Sequence, residues 1–384
     1  ITISAWVRPI DLTSTRYQDI YRKKGEYHLL AFQEYGTVLS LGLRIGSYSE
    51  MDISITTSDF VGKWNHIVAV YDGSTKIIYV NGVVIGSTSA SGSLSTAGST
   101  SLFIGSDEGA ENFPGSIDEI SVWNAALSQS QIQGYMHKAL DGDESNLVAY
   151  YKLSNGSGTS LTDNSSNSNT GTLTNMVTSG GSSDWVTSYA PIADLNSSYK
   201  TSVEAIWKVS GTSASDASDG LTMTVGSALS TGNFAVYGNN NTNGTSTSDL
   251  GSVGSSIRTG RIWQVDESGT VAGTITIDIS DATSNAGQSG TASNFRLLYR
   301  SGTSGDFSSA ATGASISGDV VTFTGRIVVD DLGSYNDLSG LPVSIYDDDS
   351  SGDDLLANGV TDVYGYFSIE WVAVCTDDED PCII

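Results

Sequence analysis

Hydrophobic and polar residues alternate along most of the chain, which is the pattern of β-strands with one buried face. Residues 66–71 alternate with a period of two, and the apolar residues 77–80 and 83–85 flank Asn81 and Gly82. An Asn-Gly pair between two apolar runs predicts a hairpin with a two-residue type I′ turn. Turns rich in Gly, Ser, Asn and Asp separate the other apolar runs, so the pattern predicts a sandwich or jelly roll.

One segment departs from this alternation and predicts a helix. Ser128 and Gln131 have the spacing of a capping box, in which each side chain satisfies a free amide of the first turn. The apolar residues that follow recur every three or four positions, as on one face of a helix. They are Ile132, Tyr135, Met136, Ala139 and Leu140.

Much of the first half of the chain resembles laminin G-like domains. Residues 64–73 (WNHIVAVYDG) and 78–82 (IYVNG) resemble the central hairpin of those domains. Residues 102–105 (LFIG) and 113–123 (FPGSIDEISVW) resemble the strands that follow it. Residues 147–151 resemble a segment that flanks such domains in bacterial surface proteins. The resemblance implies a concanavalin A-like jelly roll of two packed sheets.

The resemblance also implies an incomplete first sheet. The family's opening strand, which precedes the strand at residues 3–7, has no counterpart in this sequence. We therefore expect the sheet to be one strand short unless further residues or another chain supply the strand. Residue 1 is Ile and lies inside a predicted strand, which indicates a fragment or a mature piece of a longer protein.

Residues 191–339 predict a second β-sandwich, because short alternating runs are separated by turn residues. These runs are residues 205–209, 221–225, 234–237, 261–265, 274–279, 295–299 and 320–324. The runs at 261–265 and 295–299 resemble parts of the repeat modules of large bacterial surface adhesins.

Residues 340–384 predict a third, incomplete module. Residues 359–369 resemble the prealbumin-like or collagen-adhesin B-type modules that form stalks, and such a module needs about 70–90 residues. The predicted fold class is all-β, with a concanavalin A-like jelly-roll sandwich at residues 1–190. Ig-like and prealbumin-like β-sandwich modules follow at residues 191–339 and 340–384.

Composition and charge exclude several classes of function. The chain of 384 residues has 43 acidic and 17 basic residues, and its formal net charge of −26 repels nucleic acid and anionic lipid. No stretch reaches the ~18–20 apolar residues of a membrane span. The sequence has only three His and two Cys, and no nucleophile or zinc motif. We therefore predict a protein that is not an enzyme.

An acidic loop near the C-terminus predicts a calcium site. Asp347, Asp349 and Ser351 follow the first half of an oxygen-rich calcium loop, in which a glycine allows the sharp turn and Asp353 offers a carbonyl oxygen. Asn358 stands where such loops have a bidentate Glu, so we expect weak binding. The alternative is a solvated acidic turn.

Asp118 is a second candidate for calcium, on the resemblance alone. In related jelly rolls the Asp of a Gly-x-Ile-Asp-Glu segment lies beside a structural calcium, and residues 115–119 match that segment. The alternative is a strand carboxylate bonded to backbone amides. A glycosidase is not expected, because retaining enzymes need two carboxylates about 5 Å apart and positions 114 and 116 carry none.

Cys375 and Cys382 are the only cysteines and flank a short acidic turn, so their spacing predicts a disulfide that closes a hairpin. Such a bond indicates an oxidising compartment. The alternatives are two free thiols or a bond to another chain.

The aromatic residues are predicted to divide between a core and an exposed surface. Trp6, Trp64 and Trp123 lie in apolar strand patterns, which favours core packing over sugar stacking. His66 lies in such a strand as well and is predicted to be packed. The tyrosines of less regular segments are candidates for an exposed binding surface; they are Tyr17, Tyr21, Tyr27, Tyr35 and Tyr48.

Together these features predict an extracellular or cell-surface adhesion protein. It would bind glycans or surface proteins through the faces or loops of the jelly roll, without covalent chemistry, and calcium would stabilise its loops. Nucleic acid and a direct membrane span are not expected. The alternative is a structural subunit of an extracellular filament or sheath, in which copies of the chain exchange strands.

Overall fold

A computed structural model describes the chain at residues 1–25, 27–95, 100–216, 218–251, 253, 257–284, 291–329, 342–346, 355–360 and 367–375. The chain divides into two compact units, Ile1–Ala190 and Pro191–Ile384. Both units are built from antiparallel β-sheets, so the predicted all-β fold class is confirmed. Within the described ranges, no helix is both long and apolar enough to cross a membrane.

The first unit is a two-sheet sandwich. Its strands are β1 (Thr2–Pro9), β2 (Tyr17–Lys23), β3 (His28–Gln33), β4 (Val38–Ile45), β5 (Ser47–Ser54), β6 (Asn65–Tyr71), β7 (Thr75–Val80), β8 (Val83–Ser89), β9 (Phe103–Ile104), β10 (Gly115–Trp123), β11 (Leu147–Tyr151), β12 (Ser160–Leu161) and β13 (Gly171–Thr172). Its helix α1 spans Gln129–Met136, and a 3-10 helix spans Thr57–Asp59.

The strand order of the first unit places β1 in the middle of a sheet. One sheet has six strands in the order β11-β10-β1-β6-β7-β8, a second has five in the order β5-β4-β3-β2-β9, and β12 pairs with β13. Hydrogen bonds join β1 to β10 along one edge and to β6 along the other. The expected missing strand concerns residues outside this sequence and stays a prediction.

The core of the first unit lies between the six-stranded and five-stranded sheets. Alternate residues of each strand point into it, because successive side chains on a strand face opposite sides. Examples are Ile3, Ala5 and Val7 of β1 and Leu39, Leu41 and Leu43 of β4. A second apolar cluster covers the other face of the six-stranded sheet, where α1 packs through Ile132.

The predicted burial of the tryptophans and of His66 is confirmed. Trp6, Trp64 and Trp123 are each at most 5% exposed. The imidazole of His66 is buried as well, and its Nε2 lies 2.7 Å from Oγ of Ser4. These side chains contribute packing to the sandwich and leave no surface for sugar stacking.

The predicted hairpin is confirmed. Asn81 and Gly82 connect β7 to β8 with φ values of 51° and 73°, as a type I′ turn requires. The hairpin is also tied to α1, because Gln129 and Gln133 both donate hydrogen bonds to the carbonyl of Gly82. A Cβ on Gly82 would meet Cγ of Gln133 at 2.9 Å, so this turn requires glycine for two reasons.

The predicted capping box is confirmed at the start of α1. The Ser128 hydroxyl accepts a hydrogen bond from the Gln131 amide at 3.3 Å, and the Gln131 side chain accepts one from the Ser128 amide at 2.9 Å. The helix ends at Met136, so Ala139 and Leu140 lie beyond it, although both are buried.

The second unit is also built on two large sheets. Its strands are β14 (Thr201–Trp207), β15 (Ser213–Asp216), β16 (Leu221–Val225), β17 (Phe234–Asn239), β18 (Thr245–Ser246), β19 (Ile257–Thr259), β20 (Trp263–Ser268), β21 (Thr270–Asp278), β22 (Phe295–Ser301), β23 (Ser308–Thr312), β24 (Ser315–Ser317), β25 (Val320–Val329), β26 (Pro342–Tyr346), β27 (Leu355–Val360) and β28 (Phe367–Cys375). Helix α2 spans Ile279–Thr283, and 3-10 helices span Ser197–Tyr199 and Ala292–Asn294. Strands occur in all seven runs predicted from the sequence.

The last three strands belong to the two large sheets of the second unit, β28 to one and β26 and β27 to the other. One sheet has the order β14-β17-β20-β28-β19-β18, with β22 and β23 attached through β28. The other has the order β15-β16-β21-β25-β26-β27, with β24 on β25. The predicted boundary near residue 190 coincides with the limit between the two units. The further boundary at residue 340 stays a prediction.

Candidate metal centre and binding face

One side of the five-stranded sheet of the first unit is polar. On β4, Leu39, Leu41 and Leu43 point into the core, so the residues between them point outward. The pairing of neighbouring strands brings further side chains onto this surface, which we call the outer face. The outer face carries Asp19, Arg22, Ala31, Gln33, Ser40, Gly42, Arg44, Tyr48, Glu50 and Asp52.

A bulge in β2 decides which of its side chains reach the outer face. Asp19 pairs with Ala31, and Tyr21 pairs with Leu30 on β3. Ile20 therefore has no partner in the register and forms the bulge. Ile20 and Tyr21 consequently both lie in the core, and Arg22 returns to the outer side. Tyr21 is 3% exposed, so the prediction that it lies on an exposed surface is wrong.

Three carboxylates meet at the edge of the outer face. Oxygen atoms of Asp19, Asp107 and Glu111 lie within 4.8 Å of one another, and we call these residues the acidic group. Asp19 comes from β2, and the other two come from the loop after β9, which pairs with β2. The Asp19 amide donates to the carbonyl of Glu111 at 2.8 Å and holds this loop in place. The searched part of the chain contains no second group of this kind.

The loop that supplies Asp107 and Glu111 has an unusual backbone. Glu108, Gly109 and Glu111 have φ values of 52°, 91° and 52°. Asp107 and Ala110 exchange both backbone hydrogen bonds across the turn, at 2.7 and 2.9 Å. A non-glycine residue in the left-handed region costs about 1–2 kcal/mol. Such strain is typical of binding sites. Here it includes Glu111, which supplies one of the two loop carboxylates near Asp19.

Asp19 is the buried member of the acidic group. Its side chain is 1% exposed, and neither carboxylate oxygen accepts a hydrogen bond from the described residues. Burial raises the pKa of Asp19 to about 7; Arg22 opposes this rise, while Glu111 and Asp107 add to it. Closely spaced carboxylate oxygens are the ligands that Ca²⁺ prefers. The acidic group could therefore hold a divalent cation.

Two basic residues partly balance the acidic group. In Arg22, Nε lies 3.9 Å from Oδ2 of Asp19 and Nη2 lies 3.9 Å from Oδ2 of Asp107. Lys24 Nζ lies 3.3 Å from Oδ1 of Asp107 and 3.3 Å from Oε2 of Glu108. The Arg22 distances are too long for hydrogen bonds. Arg22 therefore acts on the acidic group through charge alone.

Two exposed tyrosines border the outer face. Tyr27 and Tyr48 are 47% and 43% exposed, and their ring centroids are 6.1 Å apart. Tyr48 lies across Gly42, where the absence of a Cβ leaves room for its hydroxyl. The guanidinium of Arg44 lies 5.3 Å from the Tyr27 ring centroid. The predicted exposure is confirmed for these tyrosines and for Tyr35, which is 53% exposed.

Glu50 lies on β5, on the same face as Tyr48. It accepts a hydrogen bond from Nε2 of Gln33 at 2.5 Å and another from the Tyr48 hydroxyl. Burial raises the pKa of Glu50, whereas Gln33, Tyr48 and Arg22 lower it. Arg22 consequently lies within electrostatic reach of both Glu50 and Asp19.

Asp118 lies on β10 of the six-stranded sheet and is not a member of the acidic group. Its carboxylate accepts hydrogen bonds from the Glu119 amide at 3.0 Å and from the Ser188 hydroxyl. Burial raises the pKa of Asp118 to about 6, and these two hydrogen bonds oppose the rise. The metal-binding role of Asp118 stays a prediction.

The other predicted site residues lie outside the part of the chain that the structure describes. They are Asp347, Asp349, Ser351 and Asp353 of the calcium-type loop, and Cys382. Cys375 ends β28, where only the backbone is described. The C-terminal calcium site and the disulfide therefore stay predictions.

Two parts of the chain match family models. Residues 1–133 match the model described as the concanavalin A-like lectin/glucanases superfamily, and this part contains the whole acidic group. The predicted concanavalin A-like jelly roll is thereby confirmed. Residues 196–333 match a model described as "Domain of unknown function (DUF8202)". The curated proteins include no match to this chain.

Several solved structures are similar to the chain at low identity. A candidate carbohydrate-binding protein from Bacteroides ovatus is 20% identical over 42% of this chain and 48% of its own, with a TM-score of 0.36. The Ruminococcus gnavus IT-sialidase CBM40, bound to α2,3 sialyllactose, is 16% identical over 34% of this chain and 79% of its own, with a TM-score of 0.29. Domain 4 of AbnA, an extracellular arabinanase from Geobacillus stearothermophilus, was solved in complex with arabinotriose. It is 24% identical over 34% of this chain and 64% of its own, with a TM-score of 0.28. The chain spans about half the length of the first of these proteins.

Proposed function

We propose that the first unit binds glycans on its outer face and that calcium held by Asp19, Asp107 and Glu111 supports this binding. The observation that carries the proposal is the acidic group at the edge of a face bordered by exposed tyrosines. Its buried Asp19 carboxylate accepts no hydrogen bond from the described residues. The description of the family model that matches residues 1–133 names lectins and glucanases, which supports a carbohydrate ligand.

Each part of the site has a separate task in this proposal. Asp19, Asp107 and Glu111 would hold the cation, which supplies open coordination positions to oxygen ligands when it is bound. The exposed rings of Tyr27 and Tyr48 offer flat apolar surfaces beside polar groups, which suits a sugar ring with its mixture of C–H and hydroxyl groups. Gln33 and Glu50 provide hydrogen-bonding groups on the same face. None of these tasks requires a covalent step, so we propose a binding protein without catalytic activity.

We propose further that the protein works outside the cell, in adhesion to glycans or surface proteins. Extracellular calcium-binding modules have dissociation constants of about 10⁻⁴–10⁻³ M. A site with only three carboxylate residues and two nearby basic side chains suits that range, since few protein ligands and opposing charge both weaken calcium binding.

A glycan array probed with the intact chain tests this proposal. We expect binding in calcium that is lost in EDTA, and that is also lost in the Asp107→Asn variant in calcium. The variant is essential because EDTA would also strip calcium from any other site on the chain. Tyr48→Ala should abolish glycan binding, whereas Tyr189→Ala, which removes a tyrosine that is 45% exposed elsewhere, should not. Glycan binding that is insensitive to both Asp107→Asn and Tyr48→Ala would exclude the outer face as the binding surface.

A further inference from the structure

We propose that Arg22 is a resident counter-ion of the acidic group, and that a divalent cation must displace its guanidinium to bind. Arg22 would thereby set the affinity of the site and its selectivity for divalent ions. This inference rests on the cation site proposed above and concerns a residue that would not itself contact the cation.

The contacts of Arg22 are those of a charge held by attraction rather than by hydrogen bonds. It lies 3.9 Å from Asp19 and 3.9 Å from Asp107, and its Nε donates no hydrogen bond within the described structure. Arg16 differs, because it donates two hydrogen bonds to Glu34 at 3.0 and 2.5 Å. The Arg22 guanidinium can therefore leave the acidic group without breaking a hydrogen bond to it.

The acidic group has a specific need for this charge. The buried carboxylate of Asp19 accepts no hydrogen bond in the described structure, so nearby positive charge is its main stabilisation. A cation among the three carboxylates would lie within a few ångströms of the guanidinium, and the two positive charges would repel each other. Binding of the cation therefore favours movement of Arg22 away from Asp19.

The outer face offers a second position for the displaced guanidinium. Glu50 is already within electrostatic reach of Arg22, and it lies on the same face beside Tyr48. A guanidinium and a carboxylate form strong, charge-assisted hydrogen bonds when they approach. Cation binding would then change the charge next to Tyr48, which links the metal site to the proposed glycan surface.

Selectivity follows from the charge of the competing ions. A sodium or potassium ion brings the same single charge that Arg22 already supplies, so exchanging one for the other gains little Coulomb energy. A calcium ion brings twice that charge and gains more from the three carboxylates. We therefore expect that the wild-type site does not bind monovalent ions at physiological concentration.

Calcium titration of the intact chain tests the role of Arg22, with calorimetry to measure the dissociation constant. Removing a positive charge beside the site should strengthen calcium binding by roughly tenfold or more in Arg22→Gln. Arg22→Lys keeps the charge and should stay near wild type. Arg16→Gln makes the same change in net charge at a residue paired with Glu34 and should change affinity by less than about twofold. Adding Asp107→Asn to each variant identifies the heat that belongs to this site.

The outcomes separate this inference from the proposed function. If Asp107→Asn removes no calcium binding, the cation site itself is wrong. If Asp107→Asn removes binding but wild type and Arg22→Gln have equal affinity, only the role of Arg22 is wrong. Should Arg22→Gln fail to fold, the Nε–H resonance of Arg22 in the wild-type protein gives the answer: we expect it to shift on calcium addition, and an unchanged resonance would overturn the proposal.

Discussion

Replacing Asp19 with Asn is expected to stabilise the cation-free protein at neutral and alkaline pH. The side chain is buried and its oxygens accept no hydrogen bond from described residues, so Asn loses no hydrogen bond. It loses the attraction to Arg22 at 3.9 Å, whose effect on the pKa of Asp19 is smaller than that of burial. What Asn removes is a negative charge in a buried position beside two further carboxylates. A substitution in a well-packed strand would therefore increase stability, which is uncommon.

The pKa of Asp19 gives the magnitude and the sign. It is about 7 in the folded protein and 3.8 as the ordinary value, and this difference at ~1.4 kcal/mol per unit is worth about 4 kcal/mol. Because the folded-state pKa is raised, the folded protein retains the proton more strongly than the unfolded chain. The stabilisation from Asp19 is complete below pH 3.8 and is lost as the pH rises through 7. With partial relaxation of the loop, we expect Asp19→Asn to add about 2–4 kcal/mol at pH 8.

Hydrogen exchange of peptides from residues 1–190, with denaturant and EDTA, measures the stability of this unit at pH 5 and pH 8. The difference in unfolding free energy between variant and wild type should grow from pH 5 to pH 8. The contributions of the other titrating groups are the same in both proteins and cancel in this difference. Calcium should reverse the order at pH 8, because it stabilises wild type through binding to the folded state and cannot do so equally in the variant.

Asp52→Asn is the matched control, since Asp52 lies on the same face and accepts a hydrogen bond from Ser40 at 2.7 Å. It should give no stabilisation at pH 8. The reasoning is refuted if Asp19→Asn is no more stable than this control at pH 8, or if its gain in unfolding free energy over wild type does not depend on pH.

Three further predictions concern local stability, each read by equilibrium denaturation. Burial lowers the pKa of His66 to about 3, with a smaller contribution from His137. The free energy of unfolding should therefore fall as the pH drops below about 6.5, where the unfolded chain begins to bind the proton. The fall should be shallower in His66→Gln, and parallel pH profiles of the two proteins would contradict this. Gly82→Ala should cost about 1 kcal/mol for its positive φ and more for its contact with Gln133, whereas Gly73→Ala, with φ of 98° and no nearby atom, should cost only the first amount. Ser128→Ala should cost about 1 kcal/mol through loss of the cap, against less than about 0.5 kcal/mol for Ser130→Ala, and equal effects would argue against the capping box.

Local patterns predicted the local elements well. The hairpin at Asn81 and Gly82 and the cap at Ser128 each depend on residues within a few positions of one another, so their geometry can be derived from spacing. The alternation of apolar residues located the strands of both units for the same reason. Tyr21 is predicted to be exposed because its segment has no regular pattern, but it lies in β2. The bulge at Ile20 places both Ile20 and Tyr21 in the core, and no sequence signal announces it.

The acidic group could not be predicted by the same means. Asp107 and Glu111 do carry a local signal, an acidic turn that contains Gly109, and this signal was missed. Asp19 lies far away in sequence, in a strand with no metal-binding pattern, and only the pairing of β2 with β9 brings it to the loop. Its burial, which makes it the most informative member, is a property of the folded sandwich.

Anomalous X-ray diffraction from crystals of the intact chain grown with calcium tests the central claim most directly. We predict an anomalous peak between the carboxylates of Asp19, Asp107 and Glu111, with the Arg22 guanidinium turned away from Asp19. The same crystals of Asp107→Asn should lack this peak and keep any that belong to other sites. Well-ordered carboxylates with no peak between them at millimolar calcium would contradict the proposed cation site and the function built on it.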